Sequence, residues 1–418
     1  MVRIAAARRG VLAIRRVAAE RRSYASSSSA CAASNSDEVL QADAVIIGGG
    51  SLGASTLYHL AERGVTNAIL LESNQLTAGT TWHSAGMLWS LRPTDTDIEL
   101  SAHTKYMCKK LEEETEIVSW SENGGLFIAC NQERLNEYRR MSEMGEYYGI
   151  DSHVLSSAEI RDVHPLMSPD DTYGAIYSPT DGTIDPTGIV NAYAKAAKTR
   201  GAQIFENARV VGIDVSNVTT NAGREKRQVN AVKLADGRVI HTKTIVNCAG
   251  AWAGKVANMV GSQIPLLPMK HAMVVSETIE GMQSTFPNVR DHDLSVYFKT
   301  QGSAMCLGGY EQNPEFIHGG MDDDFHFGLY DLDWDTFAQN LEGHIKRCPL
   351  IAETGIQSTV CGPESFTPDH KALIGPDPNV NGFFYAAGFN SMVSAFFTAL
   401  RLRCTFADAL LLVSFSLF

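Results

Sequence analysis

The sequence predicts an α/β protein in which a parallel, Rossmann-like βαβ unit is interleaved with a mixed sheet. Three observations carry the prediction. A short apolar run, Asp43 to Ile47, leads straight into Gly48-Gly49-Gly50-Ser51-Leu52-Gly53 and then into a helix-like stretch. A second buried run, Thr244 to Cys248, enters another small-residue turn at Ala249-Gly250-Ala251. Beyond them, 268–275, 294–299 and 307–311 alternate apolar and polar residues, the period of a strand with one face on a core.

The first unit is the most specific signal. The run Ala44-Val45-Ile46-Ile47 reads as a buried parallel strand. Leu52, Leu57, Leu60 and Ala61 give the following helix an apolar stripe, and Gly64 ends it. A second strand, Ala68 to Leu71, finishes at Glu72, 19 residues past Gly53. That is the context a dinucleotide fingerprint requires. Gly48 permits the tight turn, Gly50 lets backbone approach a pyrophosphate, and Gly53 lets helix and strand pack closely. The helix N-terminus directs free N–H groups at the phosphates. Glu72 is placed to accept from adenosine ribose hydroxyls, which argues against a 2′-phosphate. The unit does not separate FAD from NAD, because both present the same ADP half.

Composition bounds the remainder. The chain has 418 residues, 44% hydrophobic and 20% charged, with a net charge of -12. This is globular composition of two to three domains, too acidic overall for phosphate-backbone binding. Residues 1–24 depart from it, with seven arginines against one acid, Glu20, followed by a Ser/Ala run. That is the profile of an organelle transit peptide, taken here as residues 1–36. The eight cysteines are scattered without a C-x-x-C pair, as expected of buried thiols in a reducing compartment. No apolar run is long enough to span a membrane; the apolar end of the chain is too short. No His/Asp/Glu spacing suggests a metal.

Further along, residues 101–145 read as helical and polar, with Glu112-Glu113-Glu114 on a solvated face. Tyr173–Tyr177 reads as a strand, Asp181–Pro186 as a turn and helix start, and Ile189–Ala197 as a helix. Strands are expected at 203–206 and 210–213, an exposed polar hairpin or loop at 216–229, and a solvated acidic loop at Asp322-Asp323-Asp324.

Several long motifs occur together and in one order. They are the glycine unit, Gly79-Thr80-Thr81-Trp82-His83-Ser84-Ala85-Gly86, Asn123 to Ala129, Asn288-Val289-Arg290-Asp291-His292-Asp293, and Ser358 to His370. Over about residues 40–391 they resemble the sarcosine and dimethylglycine dehydrogenase family of glycine/D-amino-acid oxidase-like flavoproteins. The resemblance implies a D-amino-acid oxidase-like fold. An FAD-binding domain would be drawn from 40–115, 170–265 and 355–400. A mixed-sheet substrate domain would come from 116–169 and 266–354.

The resemblance also implies roles. His83 matches the histidine that the family bonds covalently to the flavin. Ala249, Gly250 and Asp369 match positions against the FAD. His271 and Tyr297 match a His and a Tyr beside the substrate, with His271 assisting the neutral amine and Tyr297 bonding the carboxylate; Arg92 is a further carboxylate candidate. The implied reaction is oxidative N-demethylation of sarcosine to glycine and a formaldehyde-level one-carbon unit in the mitochondrial matrix, with electrons passed to electron-transferring flavoprotein. Dimethylglycine dehydrogenase, an oxygen-using amine oxidase, or a chain that binds without turnover are the alternatives. After Ser391 the sequence leaves the family pattern, so 392–418 is expected to be a divergent apolar tail, and the family's tetrahydrofolate site is expected to be absent from this chain.

Overall fold

The computed structural model describes residues 40–219 and 225–391. The expected transit peptide and divergent tail lie outside the described residues.

Four sheets organise the described chain. The nucleotide sheet has the order Gln203–Phe205, Ala68–Leu71, Ala44–Ile47, Ile245–Asn247, Phe383–Ala387, Leu373–Pro376. Its first five strands are parallel and the last is antiparallel. The strands Ala44–Ile47 and Ala68–Leu71 are buried at every position, as expected for strands covered on both faces. Alternate residues serve different cores. Ala44, Ile46, Leu70 and Val246 pack with the helices Ser51–Glu62, Asp95–Thr115 and Pro186–Thr199. Val45, Ile47, Ile69 and Ile245 pack against Val229, Val232 and Ile240 of a small five-stranded sheet.

The large sheet has eight strands, in the order Ile356–Phe366, Leu267–Ser276, Ala304–Gly309, Val296–Gln301, Asn288–Asp291, Gly125–Ala129, Gly174–Ser178, His153–Leu155. It is mixed, with a single parallel pairing between Asn288–Asp291 and Gly125–Ala129. The helix Trp334–Arg347 covers one face, started by the Asp333 side chain accepting from Asp335 and Thr336 N–H. A three-stranded sheet, Met87–Leu88, Gly182–Ile184 and Trp120–Ser121, completes the set.

Several sequence expectations need correction. The stretch 101–145 is not one polar helix. Asp95–Thr115 ends at Glu116, which takes a left-handed φ of 61°. Asn123-Gly124 then feeds the fully buried strand Gly125–Ala129 into the large sheet before a second helix, Gln132–Tyr147, starts on an Asn131 cap. The segment 216–229 takes the hairpin alternative, with Val210–Thr219 and Glu225–Leu234 paired antiparallel, but it is not wholly exposed: Val229 is buried in the core below. Strands Gly174–Ser178 and Ile356–Phe366 hydrogen-bond into the large sheet, not the nucleotide sheet. Boundaries expected at 170 and 355 therefore do not coincide with sheet membership, because these strands find their partners far away in sequence.

Candidate active site

The nucleotide groove forms where the parallel strands end. Gly48 follows its strand at φ 114°, and a side chain there would stand 2.5 Å from the Cys248 carbonyl oxygen. A methyl group on Gly53 would collide with the Gly48 carbonyl. The N-cap of helix Ser51–Glu62 is Gly50, which has no side chain to cap it, and the first turn holds no acid. Thr81 Oγ1 accepts from Ser51 N–H at 3.1 Å, and the end of the helix faces a groove of about 320 Å³. Free N–H groups there suit anionic phosphates. Glu72 is buried at the groove wall; its carboxylate accepts from Gly49 N–H at 2.7 Å and Asn74 N–H at 2.9 Å. Ala249 and Gly250, at the end of Ile245–Asn247, line the opposite side with Gly50.

The acidic loop is not simply solvated. Asp323 pairs with Lys255 at 2.7 Å, Asp324 with Arg209 at 2.5 Å, and the Asp322 carbonyl accepts from Trp252 Nε1 at 2.8 Å. These contacts hold Asp323, Phe325 and His326 along the groove.

A second cavity of about 370 Å³ meets this groove at Glu364 and Ser391, which line both. The Ser391 hydroxyl donates to the Glu364 carboxylate. The cavity is walled by Trp89, Leu91, Phe127 and Met141 and carries Arg92, Arg290, His271, Tyr297 and Tyr310. Arg290 lies over the Tyr310 ring, 5.1 Å from its centre.

His83 closes a short helical turn, Thr81–His83, and is buried at the cavity edge. Its ring packs on Gly362 of the large sheet, and Nε2 has no hydrogen-bond partner. Burial, helped by the charge of His271, pushes its pKa down to about 4, so the imidazole is neutral. His271 behaves oppositely. Burial alone would depress it, but the Glu364 and Glu311 carboxylates outweigh burial and hold it up at about 10. Its Nδ1 lies 3.0 Å from Glu311 Oε2, while Glu311 Oε1 accepts from Ala272 N–H at 2.9 Å. With two carboxylates favouring its cation, His271 is set to act as a hydrogen-bond donor and a fixed positive charge in the cavity. Tyr297 is buried on the next strand but one, and burial raises its phenol well above the ordinary range.

The structure thus brings Gly48, Gly50, Glu72, Ala249 and Gly250 to the groove and His83, His271, Tyr297 and Arg92 to the adjoining cavity. Gly53 stands behind the groove as a packing position. Asp369 reaches neither: it is exposed, and its carboxylate accepts from Lys371 N–H to close a local turn, leaving Lys371 to reach the cavity. Sequence reasoning assigned no role to Arg290, Tyr310, Glu311 or Glu364. Both Arg290 and Glu364 lie inside motifs that carry the family resemblance, which was the available signal.

Cys130, Asp291 and Asp293 also bring ligand-type atoms together. There the fully buried Arg347 already supplies the positive charge, its Nε 2.6 Å from Asp291 Oδ2, and Asp291 Oδ1 accepts two backbone N–H groups.

These features fit a flavin dinucleotide: a glycine cradle, a helix end with no acid in its first turn, a buried carboxylate at the groove wall, and beyond them a buried imidazole whose Nε2 has no partner. A family model described as FAD dependent oxidoreductase matches residues 43–402. The chain belongs to that family.

Mitochondrial sarcosine dehydrogenase of Mus musculus is 56% identical over 352 residues, covering 84% of this chain and 38% of the relative. The mitochondrial pyruvate dehydrogenase phosphatase regulatory subunit of the same species is 31% identical, covering 84% and 39%. The chain spans about 38% of the length of the sarcosine dehydrogenases it matches. Among solved structures, L-proline dehydrogenase from P. horikoshii superposes with a TM-score of 0.74 at 23% identity, covering 87% of this chain and 92% of that one. Glycine oxidase from Geobacillus kaustophilus gives 0.69 at 21% identity, covering 89% and 95%. The family fold is therefore that of amino-acid oxidases and dehydrogenases.

Proposed function

We propose that this chain catalyses the oxidative N-demethylation of a small N-methyl amino acid, sarcosine in the first place, with FAD bonded to His83. The observation that carries the reading is the meeting of the two cavities at Glu364 and Ser391. It sets a dinucleotide groove beside a chamber with an apolar wall, two guanidinium groups and a neutral His83 whose Nε2 is unpartnered. The similarity to sarcosine dehydrogenases supports the choice of substrate.

When bound, the flavin supplies a two-electron acceptor for the hydride of the substrate's N-methyl group. The chain's own residues do the rest by placement. Arg290 and Arg92 hold the carboxylate, and the Tyr297 phenol gives it a further donor. Arg290 is kept in place by its stacking on Tyr310. The His271 cation adds a fixed positive charge next to His83, braced by Glu311. Trp89, Leu91, Phe127 and Met141 wall the chamber with apolar surface, which strengthens those charge contacts. Nε2 of His83, the nitrogen its surroundings leave unpartnered, would be the atom that holds the flavin. Water then hydrolyses the substrate imine to glycine and formaldehyde.

The Arg-rich N-terminus and the mitochondrial relatives support import into the matrix, and the family resemblance supports electron-transferring flavoprotein as acceptor. The test is the mass of denatured full-length protein together with turnover of sarcosine using a dye acceptor. Flavin mass on the His83 peptide and acceptor-dependent formaldehyde release are expected. Colourless protein that cannot be reconstituted with FAD overturns the reading, and peroxide release without an acceptor redirects it to an oxidase.

A further inference from the structure

His344 is a fully buried titratable group that the proposed chemistry leaves unused. It sits on the helix Trp334–Arg347, on the face of the large sheet opposite the cavity, with no exposed surface. Its ring meets Phe298 edge-on with centres 4.9 Å apart, and burial keeps it neutral. Nε2 lies 3.2 Å from the Tyr297 carbonyl and 3.0 Å from the Gly308 carbonyl. Both neighbours are acceptors, so Nε2 carries the proton and bridges the two strands.

Those two carbonyls belong to a matched pair. Tyr297 and Gly308 are register partners in adjacent antiparallel strands. On the cavity face, the Tyr297 ring lies across Gly308, where any side chain would collide with the phenol. On the helix face, Gly309 leaves room for Asn340, whose amide reaches the Ser295 carbonyl at 3.4 Å. Consecutive glycines thus seat a cavity side chain on one face of the sheet and a helix side chain on the other, and His344 ties together the backbone between them.

We propose that His344 is a positioning residue: acting through the sheet, it fixes the strand pair that seats the Tyr297 phenol in the cavity and so sets affinity for the substrate carboxylate. The inference rests on reading that cavity as the substrate site.

The experiment uses the flavin-loaded full chain and steady-state kinetics with sarcosine, together with the change in flavin absorbance on adding methoxyacetate, an unreactive isostere. His344→Leu removes the donor and keeps volume. It is expected to raise KM and weaken methoxyacetate binding about tenfold, with kcat within about threefold, the scale of one neutral hydrogen bond acting through geometry. In a Tyr297→Phe background the same change is expected to have no further effect on either quantity. His344→Gln, which can present an N–H at similar reach, is expected to recover most of the affinity, and the shorter His344→Asn is not. Should His344→Leu fail to fold, the Gln and Asn pair decides, and equal KM for those two overturns the proposal. Equal KM for Leu and wild type, or additive effects of His344→Leu and Tyr297→Phe, also overturns it. Wild-type protein that neither turns over sarcosine nor responds to methoxyacetate overturns the substrate reading on which it stands, a result visible before any variant is made.

Discussion

The His83 imidazole lies against the α-carbon of Gly362, so closely that a methyl group there would overlap Cε1 and Nε2. Strand Ile356–Phe366 of the large sheet therefore shapes the one nitrogen proposed to hold the flavin. Gly362→Ala is expected to lower the fraction of chains carrying flavin mass on the His83 peptide about tenfold, the scale of one overpacked contact. Denaturing mass spectrometry reads it directly, and unchanged attachment would show that His83 moves freely past the strand.

The two glycine turns of the groove should differ in tolerance. Gly48 combines a left-handed φ of 114° with a carbonyl 2.5 Å from any added carbon, whereas Gly250, at φ 52°, has nothing within 4 Å. Gly48→Ala is expected to cost about 2–4 kcal/mol in urea unfolding, and Gly250→Ala about 1 kcal/mol. Equal losses would mean that the contact with Cys248 is relieved by a small shift of the turn.

His271 sets a pH dependence of known sign. Its folded pKa is raised from 6.5 to about 10 by Glu364 and Glu311 against the opposing effect of burial. Between those values the folded chain holds a proton that the unfolded chain has released. The stabilisation is complete below pH 6.5 and is lost as pH rises through about 10. His271→Asn is expected to flatten the fall in unfolding midpoint between pH 7 and 10. A wild-type curve with no His271-dependent slope in that window would refute the assignment of a cation.

Arg347 and Asp291 are both fully buried, with Nε and Oδ2 2.6 Å apart. Arg347→Met leaves a carboxylate without its counter-charge and is expected to cost about 3–5 kcal/mol. Adding Asp291→Leu should restore part of that loss, because the orphaned charge is gone. A double variant that is worse than the single one would show that the backbone N–H bonds of Asp291 matter more than its pairing.

Arg290 is expected to govern substrate affinity. Arg290→Met should raise KM for sarcosine about 10- to 100-fold, the scale of a lost charge-assisted hydrogen bond, with a smaller change in kcat. Tyr310→Leu should produce part of the same effect by removing the ring under the guanidinium. If neither variant alters KM, the carboxylate is held elsewhere, with Arg92 the next candidate.

Much of the fold was legible because its signals are local. The strand, glycine turn, helix, strand and acid of residues 43–72 lie consecutively in the chain, and each is constrained by its own backbone. The same holds for the turn at Ala249-Gly250. The stretch 101–145 was misread because polar composition hides a five-residue buried strand whose partners lie at 174–178 and 288–291. Asp369 matches the family motif, but its carboxylate closes a local turn.

The sequence by itself determined the dinucleotide unit, the family, and the residue types available for chemistry. Only tertiary structure decided their states. His83 and His271 are the same residue type, yet burial leaves one neutral while two carboxylates, at 311 and 364, make the other a cation. Charge depends on what stands within a few ångströms, and the two carboxylates beside His271 lie 40 and 93 residues further along the chain.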